Sequence, residues 1–198
     1  MTNLILGLVT FIGIHLLPTV PSMRATVRSR LGVTPYMIAF SLLSLLSFYL
    51  IVIGYGEARG LGRANPQIWQ PPSWGRHVAM TLMWPAMILL VAAQVLSRIR
   101  DRVRHPMLLG IKLWALAHLF VRGDLASLLL FGSMLAYAVY DLISVKRRGA
   151  LGPLGARTGQ LRGDAIAIVG GTVLYLAFLF GLHGWLIGVN ILQLRSAP

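Results

Sequence analysis

The sequence predicts an all-α protein: a polytopic transmembrane helix bundle of about six spans, forming one domain over residues 1–198. Two observations support this class. Hydrophobic residues make up 57% of the chain and charged residues only 12%, whereas soluble proteins are roughly a quarter charged. The apolar residues also fall into runs close to the ~20 residues that a helix needs to cross a bilayer. The chain therefore lacks the polar surface that would cover a water-facing globule.

The apolar runs define the predicted spans in order. They cover residues 4–20, 35–55, 77–96, 106–121, 125–145 and 165–192. The first run lacks a basic leader and a small-residue cleavage site, so we expect a retained span rather than a cleaved signal peptide. The fourth is short and opens with Pro106, which suits a first helical turn. Only three residues separate it from the fifth, which predicts a tight helical hairpin with Asp124 capping the fifth span.

The basic residues predict the orientation of the bundle. The connections after the first, third and fifth spans hold twelve arginines and lysines, and the opposite side holds five. The positive-inside rule therefore places both termini outside. In a soluble protein the net charge of +13 would suggest nucleic acid, but no soluble basic domain exists here to bind it. Membrane lipid is the expected partner of these residues.

Two connections have distinctive compositions. The outer connection, residues 56–76, is rich in proline and contains Trp69 and Trp74. It is either a lid over a cavity on the outer side or an interfacial loop with two aromatic anchors. The connection at residues 149–163 is rich in glycine and polar residues, as is typical of a flexible connector.

The histidines are the main candidates for chemistry. The chain has no cysteine, which excludes disulfides, thiolate metal ligands, iron–sulfur clusters and covalently attached c-type haem. His15, His118 and His183 fall within apolar spans, and His77 and His105 lie at span ends. Ionisable groups inside a membrane by default face a cavity or a cofactor; the alternative is a neutral histidine bonded to a neighbouring helix. The sequence has no pair of carboxylates on one face of a span and no Ser–His–Asp arrangement, so it gives no sign of a hydrolytic enzyme.

The depth of each histidine favours one pair. Counted along ideal helices, His15 and His118 share a level a little outside the bilayer midplane, whereas His105 lies at the inner edge. Two neutral imidazoles at one level of a helix bundle are able to hold a haem iron axially. His15 and His118 are therefore the candidate metal ligands, with His77 and His183 as secondary candidates. A zinc site would need three or four ligands and would draw on those secondary histidines.

Three further side chains are expected near such a haem. Trp114 lies one turn before His118, and Arg122 lies one turn after it on the same face. Arg122 and Arg76 are candidate partners for the haem propionates at the outer interface, because carboxylates in hydrocarbon need pairing. On this placement His105 is dispensable for haem.

The segment 105–132, which reads His-Pro…Trp-x-x-x-His…Gly-Asp-x-x-Ser, resembles the signature of the NnrU family. The first span, in which His15 is followed by a short basic loop, and the serine-rich second span extend the resemblance over nearly the whole chain. NnrU proteins are associated with denitrification and nitric oxide metabolism. The family includes the zeta-carotene isomerase, a haem b membrane enzyme that isomerises a cis bond of a polyene.

The resemblance implies haem b as the cofactor, with one ligand in the first span and one in the Trp-x-x-x-His helix. These positions are His15 and His118 in this sequence. It also implies a location in the bacterial inner (cytoplasmic) membrane. A cysteine ligand has been proposed for the isomerases, and this chain has none.

Three functions stay open on the sequence. The first is a haem-binding protein that senses, carries or processes a molecule linked to nitric oxide. The second is a haem-dependent cis–trans isomerase that acts on a lipophilic polyene. The third is a non-catalytic membrane factor that assembles denitrification enzymes and has structural histidines.

Overall fold

The structure is a computed structural model, and it describes residues 1–152 and 154–192. The helices are α1 (Thr2–Leu16), α2 (Pro21–Leu31), α3 (Val33–Arg59), α4 (Gly75–Ala92), α5 (Arg98–Val103), α6 (Pro106–Leu119), α7 (Leu125–Ser127), α8 (Ser133–Arg147), α9 (Leu161–Ala177) and α10 (His183–Ile187). A 3₁₀ turn, Leu17–Thr19, follows α1, and another, Gly62–Ala64, lies between α3 and α4. No strand occurs in these described ranges, and the all-α class is confirmed.

Within the described part of the chain, five helical stretches are long and apolar enough to cross a membrane. They are Thr2–Thr19, Val33–Arg59, Gly75–Ala92, Leu125–Arg147 and Leu161–Ile187. The fourth apolar run, residues 106–121, forms α6, which has only 14 residues and is about 21 Å long at the usual helical rise. Residues 1–152 and 154–192 thus contain five helical stretches of spanning length and one shorter apolar helix, in the order that the sequence predicts.

Two of the long helices contain a π-helical segment. Leu128–Gly132 joins α7 to α8, and Phe178–Leu182 joins α9 to α10. Such wide turns are rare and are frequent at functional sites. Both segments lie close to a pair of histidines that is described below.

Small residues set the helix packing. Gly7 and Gly54 let α1 and α3 approach so closely that a Cβ on either glycine would overlap the opposite backbone. Gly171 does the same where α9 crosses Ile88 of α4. Without water to drive helices together, such close backbone contact is a main source of stability in a membrane. These contacts hold α4 between α6 and α9 and place α1 beside α3.

The three basic connections meet at one end of the bundle, which we call the basic end. Arg148 Nη1 donates to the carbonyl of Pro18 at 3.1 Å, and the backbone N–H of Gly159 donates to Asp101 Oδ2 at 2.7 Å. The Arg100 guanidinium also donates to the carbonyl of Arg157. The connections that were predicted to share one side of the membrane therefore do lie together.

The other connections meet at the opposite end. The backbone N–H of Ile68 donates to the carbonyl of Gly123 at 2.7 Å, so the proline-rich connection packs on the α6–α7 hairpin. Gly123 is needed there because a Cβ would overlap the Trp69 carbonyl. Asp124 caps the next helix, accepting from the Ser127 N–H at 3.0 Å and from its hydroxyl at 2.7 Å. The predicted cap is thus confirmed.

Candidate functional site

A cavity of about 1100 Å³ opens at the basic end. Its walls come from α1, α6 and α8, from α5 and its flanks, and from the connection after α8. The apolar part of the lining includes Phe11, Met107, Leu108, Ile111 and Met134. The polar part includes two histidines, six basic side chains, two aspartates and a tyrosine. The cavity is therefore suited to a large amphiphilic ligand that carries negative charge.

His15 lines this cavity from the last turn of α1. Its Nδ1 lies 2.7 Å from the carbonyl oxygen of Phe11. A carbonyl only accepts hydrogen bonds, so Nδ1 carries the proton and Nε2 keeps its lone pair. The ring also stacks on Phe11, with 4.1 Å between the centroids, and meets the edge of Tyr137. These contacts hold an imidazole whose Nε2 is available to a metal ion.

His105 lines the same cavity from the residue before α6. Burial lowers the pKa of His105 below its ordinary value, and the charges of Lys146, Arg104 and Arg148 lower it further, against an opposing effect of Asp141. The imidazole is consequently neutral at pH 7. Neutral imidazole is the form that binds a metal ion.

The wall around these histidines is strongly basic. The six cations are Arg24, Arg100, Arg104, Lys146, Arg148 and Arg157. The two acids of the cavity are already paired: Asp101 lies 3.0 Å from Arg100 Nη2, and Asp141 lies 3.6 Å from Arg148 Nη2. The Gly159 N–H, followed by Arg100, holds the pKa of Asp101 below its ordinary value. The cavity therefore keeps an excess of positive charge for an anionic ligand.

Arg104 has an unusual backbone. It is the one non-glycine residue with a positive φ within the described ranges, at φ 64° and ψ −45°. Such a conformation costs free energy, and strain of this kind clusters at ligand sites. Arg104 directly precedes His105, so the strained residue and the candidate ligand are neighbours in the cavity wall.

His118 lies away from this cavity, toward the opposite end of the bundle. It occupies the last turn of α6, where its Nδ1 is 2.8 Å from the carbonyl oxygen of Trp114. Its ring stacks on Phe131, with 4.5 Å between the centroids. The ring of His183 is nearly parallel to it, with a centroid distance of 6.5 Å. The structure thus groups His118 with His183 and with Trp114.

Direct ring contact between His15 and His118 is not among the described contacts. The ring neighbours of His15 are Phe11, Phe40 and Tyr137, and none of the described ring contacts joins it to His118. His15 is the penultimate residue of α1, at the end of the helix that leads into the first basic connection, and its pairing with His118 stays a prediction. Its ring therefore lies beside the basic connections.

The predicted propionate partners lie at the end opposite the cavity. Arg76 and His77 are in the first turn of α4. The helix α6 ends at Leu119, so Arg122 lies in the tight connection rather than one helical turn beyond His118. Arg122 and Arg76 are therefore placed for a ligand near His118, whereas Arg104 and Arg148 are placed for a ligand near His15.

Sequence reasoning missed two polar residues. Asp141 is the only acidic residue within the six apolar runs, and a charged residue inside a membrane span is by itself a sign of a functional site. Its carboxylate accepts a hydrogen bond from the Tyr137 hydroxyl at 3.3 Å, beside His15. Arg59 closes the opposite end, where its Nη2 donates to the carbonyl of Ile187 at 2.8 Å. Its Nε is buried without a hydrogen-bond partner. Nothing in the sequence distinguishes Arg59 from the other loop arginines.

Histidine and carboxylate side chains do not converge in threes within residues 1–152 and 154–192. The three- or four-ligand zinc site that the sequence left open is therefore not assembled in this part of the chain.

Comparison with known proteins gives one match. A family model described as NnrU protein matches residues 3–191, which is nearly the whole chain. Neither the curated proteins nor the solved structures gave a match. The matched residues include every histidine discussed above, and the chain therefore belongs to the NnrU family.

Proposed function

We propose that this protein binds haem b in the cavity at the basic end, between spans one and four, with His15 and His105 as axial ligands. One observation carries the proposal. A single cavity of about 1100 Å³ is lined by both imidazoles, by apolar side chains and by six cations. These are the three kinds of group that haem requires: iron ligands, an apolar surface for the macrocycle and positive charge for two propionates.

The residues present fit the group. Ligand pockets for molecules of drug size have volumes of about 300–1,000 Å³, so a macrocycle has enough room here. His15 offers Nε2 because its Nδ1 is engaged by the Phe11 carbonyl. His105 is held in its neutral form by burial and by the surrounding cations. Arg104 and Arg148 are the candidates to pair with the propionates.

Haem held by two imidazoles supplies a one-electron redox centre. The protein's own contribution would be to fix the His15 ring through Phe11 and to neutralise the propionates with the cations of the cavity. In keeping with the family's association, we place the protein in nitric oxide metabolism and denitrification. By the positive-inside rule the basic end faces the cytoplasm.

The sequence alone suggested a different pair, His15 and His118, with Arg122 and Arg76 as propionate partners. The two placements share His15 and differ in the second ligand, so substitution separates them. We expect detergent-purified wild-type protein to show the absorption spectrum of a six-coordinate haem b. His15→Ala and His105→Ala should each lose most of the haem, and His118→Ala should keep it.

His77→Ala is the matched control, because this histidine lies at the opposite end and outside both pairs. Loss of haem from His118→Ala with retention in His105→Ala would overturn the cavity placement and restore the sequence-based pair. Colourless wild-type protein, also after reconstitution with haem, would refute haem binding altogether. It would then favour an assembly factor with structural histidines.

A further inference from the structure

A smaller groove lies beside the cavity at the basic end, between the end of the first span, α2 and the end of α8. It has a volume of about 200 Å³ and is lined by Pro18, Pro21, Arg24, Ala25, Arg28 and Arg148. We propose that this groove binds the phosphate of one anionic phospholipid, held by the three arginines. The proposal does not rest on the haem site, although Arg24 and Arg148 also line the larger cavity.

The charge of the groove is the first argument. Its described lining includes three guanidinium groups and no acidic residue, and the first acidic residue of the chain is Glu57. Within the described residues, the side chains of Arg24 and Arg28 have neither an ion-pair partner nor a hydrogen bond. Both guanidinium groups therefore keep their full charge and all their N–H donors for an anion.

The helix α2 brings two arginines together. Arg24 and Arg28 are four residues apart, so their side chains lie on one face of the helix. Like charges at this spacing repel each other, and an anion between them removes the repulsion. Arg28 is half-buried, whereas Arg30 is exposed and does not line the groove. The helix thus directs two of its three arginines into the groove.

Arg148 forms the fixed wall of the groove. Its Nε donates to Ser144 Oγ at 3.2 Å and its Nη1 donates to the Pro18 carbonyl at 3.1 Å, while Nη2 lies 3.6 Å from Asp141. A guanidinium has five N–H groups, so two remain for a further acceptor. The ion pair with Asp141 offsets one of the three charges, and the groove keeps a positive excess.

The position of the groove identifies the source of the phosphate. Pro18 is in the last turn of one spanning stretch, and Arg148 directly follows another. The groove therefore lies at the level of the lipid headgroups, where anionic phospholipid attracts arginine. Val20 and Met23, at the start of α2, are 43% and 56% exposed and offer an apolar surface to the acyl chains. Because the groove has a positive excess, a headgroup with net negative charge fits it better than a zwitterionic one.

The test is lipid binding by the full-length protein in detergent, measured by native mass spectrometry with phosphatidylglycerol and with zwitterionic phosphatidylcholine. We expect wild type to bind one phosphatidylglycerol in clear preference to phosphatidylcholine. An arginine beside anionic lipid contributes roughly fivefold in affinity. Arg28→Gln should therefore weaken phosphatidylglycerol binding about fivefold, and the Arg24→Gln, Arg28→Gln double variant should weaken it about twenty-five-fold.

Arg30→Gln is the matched control, because it removes the same charge from the same helix outside the groove. It should leave the affinity for phosphatidylglycerol unchanged. Folding of each variant is checked by its elution from size exclusion and by its thermal midpoint without added lipid. Equal affinity in wild type and in the folded double variant would overturn the proposal. Equal weakening by Arg30→Gln and Arg28→Gln would overturn it too, because binding would then follow net charge alone.

Inorganic phosphate and glycerol 1-phosphate, added as competitors, separate a lipid headgroup from a free phosphate. Neither should displace phosphatidylglycerol when present at the same concentration, and displacement would show a site for free phosphate instead. The haem content of Arg28→Gln should equal that of wild type, because Arg28 is not among the residues that line the larger cavity. Loss of haem from this variant with unchanged lipid affinity would overturn the assignment of Arg28 to the groove.

Discussion

Replacement of Arg104 by glycine should move two properties of the protein in opposite directions. Arg104 stands at the end of α5 with φ 64° and ψ −45°, where an L-residue is strained, and its side chain lines the basic cavity. Glycine removes both the strain and the charge. Glutamine removes the charge and keeps the strain, so the pair of variants separates the two effects.

The expected magnitudes follow from the backbone and from the exposure of the side chain. Strain of this type costs on the order of 1–3 kcal/mol, and the greater freedom of glycine in the unfolded chain offsets about 0.5–1 kcal/mol of the gain. Arg104→Gly should therefore stabilise the haem-free protein by about 1 kcal/mol. An arginine–carboxylate hydrogen bond contributes about 1.5–3 kcal/mol. Because Arg104 is exposed, we discount its contact with a propionate to about 1 kcal/mol, or roughly fivefold in affinity.

Two measurements in detergent check these values. The thermal midpoint of haem-free protein reports the strain, and the rate of haem transfer to excess apomyoglobin reports the affinity. We expect Arg104→Gly to raise the midpoint and to speed haem loss about fivefold, whereas Arg104→Gln should speed haem loss without raising the midpoint. Arg122→Gln, at the opposite end, is the matched control. Wild-type haem loss in both Arg104 variants, together with faster loss in Arg122→Gln, would refute the placement of the propionates.

Three other outcomes are expected. The pKa of His105 is lowered in the folded protein, so below pH 6.5 the unfolded chain binds a proton that the native chain resists, and the stability of the protein falls as the pH falls. In the haem-free His105→Asn variant, the unfolding midpoint should therefore change less between pH 5 and 7 than in the wild type. An equal pH dependence in both proteins would contradict the assignment. Asp124→Ala should lower the free energy of unfolding by about 1–2 kcal/mol, because it removes the helix cap that accepts from the Ser127 N–H and the hydrogen-bond partner of Asn65. Asp124→Asn should lower it less. Equal thermal midpoints for the two variants would count against the cap. A periplasmic reporter fused after Pro198 should be active and a cytoplasmic one inactive, in line with twelve basic residues on one side against five, and the reverse result would invert the bundle.

The fold was largely predictable because its determinants are local. Apolar runs of nearly the length of a bilayer crossing specify the helices, and Pro106, Gly123 and Asp124 specify where two of them begin or turn. The distribution of arginines predicted which connections lie together, and the contacts between Arg148 and Pro18 and between Gly159 and Asp101 bear this out. These features could be predicted without knowledge of the tertiary contacts.

The site was less predictable because it depends on where each helix stops. A difference of a few residues in where a helix ends moves a side chain by several ångströms along the bundle, at a rise of about 1.5 Å per residue, and so changes which side chains can share one ligand. The neighbours of His105 come from α8 and from the basic connections, and their effect on its pKa is a tertiary property. The buried Arg59 Nε likewise follows from the approach of α10 to the end of α3.

The shortness of α6 has a consequence for the surrounding bilayer. Its 14 residues span about 21 Å, some 9 Å less than a typical hydrocarbon core. Lipid next to this helix must thin, or the polar connections must descend below the plane of the neighbouring headgroups. The cavity adjoins the first turns of α6 at Met107, Leu108 and Ile111, so the short helix and the cavity lie side by side. We therefore expect the hydrocarbon layer to be thinner beside α6 than elsewhere around the bundle, and a charged molecule that approaches the basic end to have a shorter apolar path to cross.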